Sequence, residues 1–351
     1  EQFSAWQNSR HAQAFSPGLI GQFPGMSHTD RNDCLTCHAP LTEQKYKPEQ
    51  NHINAQQSMQ SLALKLKQPE GFDRNADTEA VALPLRHAGV TCAACHVREW
   101  QRFGPPQRGT DAVGHIDTPA HGGFTASPEF EQSNFCASCH QFPQSYAING
   151  KPMENTLEEW KQSRFAAEGT QCQSCHMPDR KHEFKGIHDP AMVKKGLRFT
   201  TAARADSAAL TIRSVWIGHA FPTYVTPKVI IRGEELDARG QVLNSREWEI
   251  IREVAYIDGW EELRDTRLLP GESRRFVMDH VLQTARQVRF TVKVIPDNFY
   301  KTVYRSFLDD ENPDVNARKL MHLALKEADM NDYRLFSALV TIGNEASPDT
   351  E

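Results

Sequence analysis

The chain has 351 residues, a formal charge of −5 and 39% hydrophobic residues, against ~45–50% in an ordinary globular domain. The acidic balance disfavours a nucleic-acid partner. No run reaches the ~18 apolar residues that would span a membrane; the longest apolar-rich stretch, Leu335 to Ile342, includes Ser337 and Thr341. One or two domains are expected at this length, with something other than Leu and Ile supplying part of the core.

Taken in chain order, the first element is a helix carrying Trp6, Ser9, Arg10, His11 and Ala12. The same spacing returns at Trp160, Ser163, Arg164, Phe165 and Ala166. The second copy has helix signals of its own: Thr156 and Glu159 stand as a capping box, and Gly169 is placed to end the helix. The repeat reads as a duplicated unit in which an imidazole in one copy becomes an apolar ring in the other.

Between and beyond these copies lie all eight cysteines. They form four pairs, Cys34 and Cys37, Cys92 and Cys95, Cys136 and Cys139, Cys172 and Cys175, each followed at once by a histidine: His38, His96, His140 and His176. C-x-x-C-H is the haem attachment signature. Two thiols at this spacing reach the two vinyl groups of one porphyrin, and the adjacent imidazole becomes the proximal iron ligand. Paired zinc knuckles sit ~15–20 residues apart, whereas these motifs start 58, 44 and 36 residues apart. Neither zinc nor a disulfide framework calls for the trailing histidine. Four covalently bound haem c groups are therefore expected, and their apolar plates account for the low apolar content. Eight propionates would carry the formal charge to about −13 in the ferrous bis-imidazole form, which suits steering towards a basic redox partner.

Distal ligands come from distant parts of the chain, so spacing does not assign them. Local context ranks five candidates: His11 in the repeated helix, His121 before two glycines that permit close backbone approach, His182 and His188 soon after the last motif, and His219 between Gly218 and Ala220. His28, His52, His87 and His115 stand in reserve; His280 and His322 read as structural. Arg86, Arg98, Arg102 and Arg180 lie near the motifs and are candidates to pair with propionates.

Twelve of the fifteen histidines precede residue 200, and the pattern then changes. Leu210–Ile217, Lys228–Arg232, Glu247–Ile251 and Val288–Val294 read as half-buried strands, with turns at Asp237–Gly240 and at Pro270 and Gly271. Arg264 to Arg267 reads as a solvated strand edge. Asn312 and Pro313 read as the start of a helix running through Leu320, Leu323 and Ala324. The fold class is α+β: a haem-wrapped domain of short helices and loops over 1–199, a β-sandwich-like domain over 200–310 and a C-terminal helical segment over 311–351.

Phe135 to Phe142, Asn149 to Pro152, Glu159 and Trp160, Cys172 to Pro178 and Gly186 to Pro190 together resemble the multihaem cytochromes c. Over roughly residues 5–199 the chain looks most like the tetrahaem family typified by the electron acceptor of hydroxylamine oxidoreductase, with a fused β-module around Gly218 to Thr223. That resemblance implies closely packed haems, electron relay between partners, and that one haem can lack a sixth ligand.

The expected function is electron relay between extracytoplasmic redox partners, with no catalytic residue assigned. Two alternatives stand beside it. One is an oxidoreductase acting on a small nitrogen or sulfur compound at an open haem, for which Phe165 in place of histidine is the sequence hint. The other is self-assembly into an oligomer or extracellular filament, which the spare histidines allow. Haem attachment outside the cytoplasm implies a periplasmic or extracellular location and a signal segment already removed.

Overall fold

The computed structural model describes residues 1–47, 84–108, 114–118, 120–309 and 314–342. His52, Asn312 and Pro313 lie outside the described residues. The class is α+β, with short helices and small sheets towards the N-terminus and larger β-sheets towards the C-terminus. By compactness the chain forms two units: Glu1–Phe135 with Met177–Phe184 and Tyr304–Lys326, and Cys136–His176 with Lys185–Val303 and Glu327–Glu351. This division differs from sequence limits at 199/200 and 310/311: two C-x-x-C-H motifs fall in each unit, and the second also holds the β-module.

In the first unit a small apolar core gathers Phe15, Ile20, Phe23, Leu35, Ala39, Tyr46 and Leu320. The helix His28–His38 starts on a capping box in which Ser27 and Asp30 satisfy each other's backbone amides, a reciprocal arrangement that fixes the first turn. It buries Leu35 and ends on the first motif. Arg31 and Arg86 are buried with Tyr46, their guanidinium carbons 5.6 and 4.1 Å from its ring centre. Strands β1 (Val97–Arg98), β2 (Gln101–Gly104), β3 (Gly114–Ile116) and β4 (Phe124–Ala126) form a sheet in the order β1-β2-β4-β3. The β1–β2 hairpin leaves the second motif directly.

The second unit opens with the third motif and a two-residue hairpin, β5 (Ala147–Ile148) and β6 (Lys151–Pro152). Its β-module is a sandwich. One sheet has three strands in the order β12-β8-β7: β7 (Leu197–Ala203), β8 (Ala208–Ser214) and β12 (Ser273–Met278). The other has five in the order β11-β10-β9-β13-β14: β9 (Lys228–Leu236), β10 (Val242–Tyr256), β11 (Trp260–Asp265), β13 (Gln287–Ile295) and β14 (Tyr333–Thr341). All neighbours within these two sheets are antiparallel. Alternate residues therefore point inward. Leu210, Ile212, Phe276 and Met278 from one sheet meet Val229, Ile231, Ile250, Val288, Phe290, Val292 and Val294 from the other. Each such side chain, fully buried, contributes about 1.5–3 kcal/mol.

Two differences from the sequence expectation concern the module's ends. The last described element is a strand and not a helix. Helices Asn298–Asp309 and Val315–Met330 follow β13, and β14 then returns to pair with it, Phe290 opposite Ala338. The apolar stretch from Leu335 supplies that strand, and Leu335 itself is buried. Arg267 is not solvated: its side chain is 3% exposed. Strand alternation alone does not show that two carboxylates meet it there.

Candidate haem sites

Each C-x-x-C-H motif ends a short helix: His28–His38, Cys92–His96, Asn134–His140 and Cys172–His176. One helical turn places the two thiols and the imidazole on the same side. The four motif histidines share a second feature. His38 Nδ1 lies 2.8 Å from Ala14 O, His96 Nδ1 2.8 Å from Phe103 O, His140 Nδ1 3.0 Å from Glu154 Oε1, and His176 Nδ1 2.6 Å from Lys185 O. A donor bond at Nδ1 selects the tautomer in which Nε2 carries a free lone pair, the form that binds a metal.

Two further histidines repeat this pattern and face motif histidines. His219 Nδ1 is 3.0 Å from Ala220 O, and its ring centre stands 6.3 Å from that of His176 with the planes 13° apart. His182 Nδ1 is 3.0 Å from Arg180 O, and its ring centre stands 6.0 Å from that of His96 with the planes 35° apart. Two imidazoles on one metal, each bonded at about 2 Å, place their ring centres roughly 6 Å apart. The gaps thus fit a bis-imidazole iron. Burial pushes His219 down to about 4 and lowers His176 and His182. Burial thus favours the neutral imidazole in all three, the form that ligation requires.

The repeated segment finds its meaning here, with corrections: the first helix spans only Gln2–Gln7, so Ser9 to Ala12 follow it in turns, and the second copy is split into helices Thr156–Lys161 and Arg164–Ala167. Trp6 Nε1 donates to Val90 O at 2.8 Å, and Trp160 Nε1 donates to Thr170 O at 3.0 Å. Val90 and Thr170 each lie two residues before a motif, at Cys92 and Cys172. The amide of Val90 donates to His11 O at 2.9 Å, and that of Thr170 to Phe165 O at 2.8 Å. Ser9 and Ser163 each donate to the tryptophan carbonyl at 2.7 Å. Gly89 and Gly169 both take positive φ, 61° and 74°. The first copy therefore serves the second motif, across 84 residues, and not the first motif that follows it in sequence. Chain proximity misled because the bonds that place this segment run to residues 84 and 79 positions away, Trp6 to Val90 and His11 to Val90.

The remaining candidates are placed as follows. His11 sits against Phe184, ring centres 4.2 Å apart. Phe184 in turn packs edge-on against His182 at 5.7 Å. The matching position, Phe165, lies beside Gly218, where an added Cβ would stand 3.5 Å from its ring. Both copies thus border the loop that carries the facing histidine. His121 is exposed, at φ 55°. His188 engages Asp297 through Nε2 at 3.0 Å, the nitrogen that a metal would need. Among the reserves, His28 stacks on Tyr46 and His87 meets Phe15 edge-on. His115 Nε2 crowds Gly123, 2.6 Å from where a Cβ would sit. His280 and His322 are exposed. Arg180 pairs with Glu131, and Arg102 donates to Gly123 O.

The helix Thr156–Lys161 does not form the expected capping box. Asn155 is its N-cap, without a side-chain bond. Thr156 Oγ1 instead meets Thr223 Oγ1 at 2.8 Å, and Glu159 Oε2 accepts from Ala220 N at 3.1 Å. Tertiary partners displaced the local ones. Sequence reasoning gives Glu154 no role, and it gives Glu159 and Arg267 only local ones, a helix cap and a solvated strand edge.

A family model described as outer membrane cytochrome MtrC/MtrF-like, domains II/IV, matches residues 15–189, the span that contains all four motifs. This chain is a multihaem c-type cytochrome. Electron transport is the work of such a protein, and haem c, covalently bound, is its cofactor. A penta-heme cytochrome c552 from Thermochromatium tepidum is similar over 97% of this cytochrome and 96% of that chain, with a TM-score of 0.59 and 19% identity. At that identity the likeness shows the fold. A β-glucuronidase from Bacteroides uniformis aligns over 29% of this cytochrome and 11% of that chain, at 17% identity and a TM-score of 0.15, and carries no argument. No curated protein matches. Among the described residues no helix is long and apolar enough to cross a membrane.

Proposed function

We propose that the cytochrome carries four haems and relays electrons between extracytoplasmic redox partners. The observation that carries this is the pair of imidazole gaps, 6.3 Å at His176 and His219 and 6.0 Å at His96 and His182. Six-coordinate bis-imidazole haems suit electron transfer, whereas an open position suits substrate binding. Each cysteine pair would hold one haem c through thioethers: Cys34 and Cys37 haem 1, Cys92 and Cys95 haem 2, Cys136 and Cys139 haem 3, Cys172 and Cys175 haem 4. His38, His96, His140 and His176 would be the proximal ligands; His182 would be distal at haem 2 and His219 at haem 4. His188 is set aside because its Nε2 is held by Asp297. The acidic chain favours a partner with a basic docking surface.

The protein's contribution is to hold the gaps. Backbone carbonyls orient the rings through Nδ1, and Trp6 and Trp160 fix the segments leading into haems 2 and 4. Mass spectrometry counts the haems. EPR of the oxidised protein, integrated against total haem, tests the relay: all-low-spin haem supports it, and one high-spin haem in four overturns it. Catalysis at one haem has a single observation in its favour, the Glu154 carboxylate on His140 where the other motif histidines take carbonyls. Binding of nitrite or hydroxylamine to a high-spin haem would establish that second function.

A further inference from the structure

We propose that Glu159 is the positioning residue for the distal ligand of haem 4, an inference that rests on the assignment of His219 above. Glu159 Oε2 accepts from Ala220 N at 3.1 Å, and Ala220 O is the group that meets His219 Nδ1 at 3.0 Å. Both ends of one residue are thereby engaged: its amide by the carboxylate, its carbonyl by the ligand ring. The loop is gripped again one residue on, where Phe221 and Leu268 exchange amide-to-carbonyl bonds at 2.8 and 2.9 Å.

Glu159 is itself held. Arg267 Nη1 stands 2.9 Å from its Oε1 without hydrogen-bond alignment, an ion pair between side chains 3% and 10% exposed. Arg267 meets Asp265 in a fork, at 2.9 and 2.8 Å. Asp265 also pairs with Lys151. A bidentate guanidinium–carboxylate pair fixes direction as well as distance, so Arg267 cannot swing away without breaking the fork. The chain of charges anchors Glu159 to Asp265 at the end of β11 and, through Lys151, to β6.

The consecutive residue completes the device. Trp160 donates to Thr170 O, two residues before Cys172, and its Cδ1 would lie 3.2 Å from a Cβ at Gly218. One short helix therefore holds the proximal segment of haem 4 through Trp160 and the distal segment through Glu159 and Thr156. The 6.3 Å gap is set by a rigid element, which is what ligation needs if the sixth bond is to survive changes of oxidation state.

Reach and charge can be separated in the holoprotein. Glu159→Asp keeps the charge opposite Arg267 but withdraws the oxygen from Ala220; Glu159→Gln keeps the reach and drops the charge. The readouts are the high-spin fraction by EPR and carbon monoxide bound per chain after reduction. We expect Glu159→Asp to bind about one more carbon monoxide per chain than the parent and Glu159→Gln to stay near it. His219→Ala is the control and should also open one haem. The proposal is overturned if Glu159→Asp, with four haems attached, matches the parent in both readouts, or if only Glu159→Gln opens the haem. If His219→Ala opens no haem, the ligand assignment is at fault instead.

Discussion

His140 Nδ1 lies 3.0 Å from Glu154 Oε1, whereas His38, His96 and His176 direct the same nitrogen to backbone carbonyls. Burial opposes a charge on His140, and Glu154 more than offsets it, so its pKa lies above the ordinary histidine value. A carboxylate at this position raises ligand basicity, and a more basic proximal ligand stabilises the ferric state. Haem 3 is expected to have the lowest potential of the four. In Glu154→Gln one potential should rise by about 60 mV, a tenfold change for a one-electron couple. Spectroelectrochemical titration resolves it; four unchanged potentials would remove Glu154 from the redox machinery.

His182→Ala and His219→Ala should each convert one haem in four from low-spin to high-spin. The double variant should convert two, since the two gaps share no ligand. EPR spin integration measures this. A single variant that leaves all haems low-spin would show that another side chain takes the sixth position there.

Trp6→Phe and Trp160→Phe test the duplicated unit. Each leaves a carbonyl, Val90 O or Thr170 O, without its indole donor, at a cost of about 1–3 kcal/mol. Thermal unfolding should show a lower Tm in both. The local effect should fall on haem 2 for Trp6 and haem 4 for Trp160, read by hydrogen exchange around Cys92 and Cys172. Increased exchange around Cys34 in Trp6→Phe would instead favour pairing with the motif that is nearer in sequence.

The sandwich should be acid-sensitive through Asp265. Burial acts to raise its pKa, but Arg267 and Lys151 outweigh that and hold it well below the usual carboxylate range. A depressed folded-state value means the stabilisation is fully present above about pH 4, the unfolded value, and fades as pH falls towards the folded one. Asp265→Asn should therefore lower stability at pH 7 and converge on the parent in strong acid. Denaturant midpoints at several pH values check this; a constant difference across pH would show that the charge is irrelevant.

A core substitution gives the scale for these effects. Phe290 is fully buried between the two sheets. Phe290→Ala should cost about 3–5 kcal/mol, seen as a large fall in the denaturant midpoint of the β-module.

The order of the amino acids alone carries the haem chemistry, because attachment is local: two thiols and an imidazole within five residues need nothing else from the chain. It also determined the strands whose alternation is strict, at Lys228, Glu247 and Val288. Tertiary structure alone decided which histidines face which motif. His182 and His96 are 86 positions apart and His219 and His176 are 43 apart, and no period connects them. It decided that Thr156 and Glu159 grip a distant loop instead of their own helix, and that Arg267 is buried at a position whose alternation looked solvated. In each case a long-range partner offered a better bond than the local one, and only the folded chain brings that partner within reach.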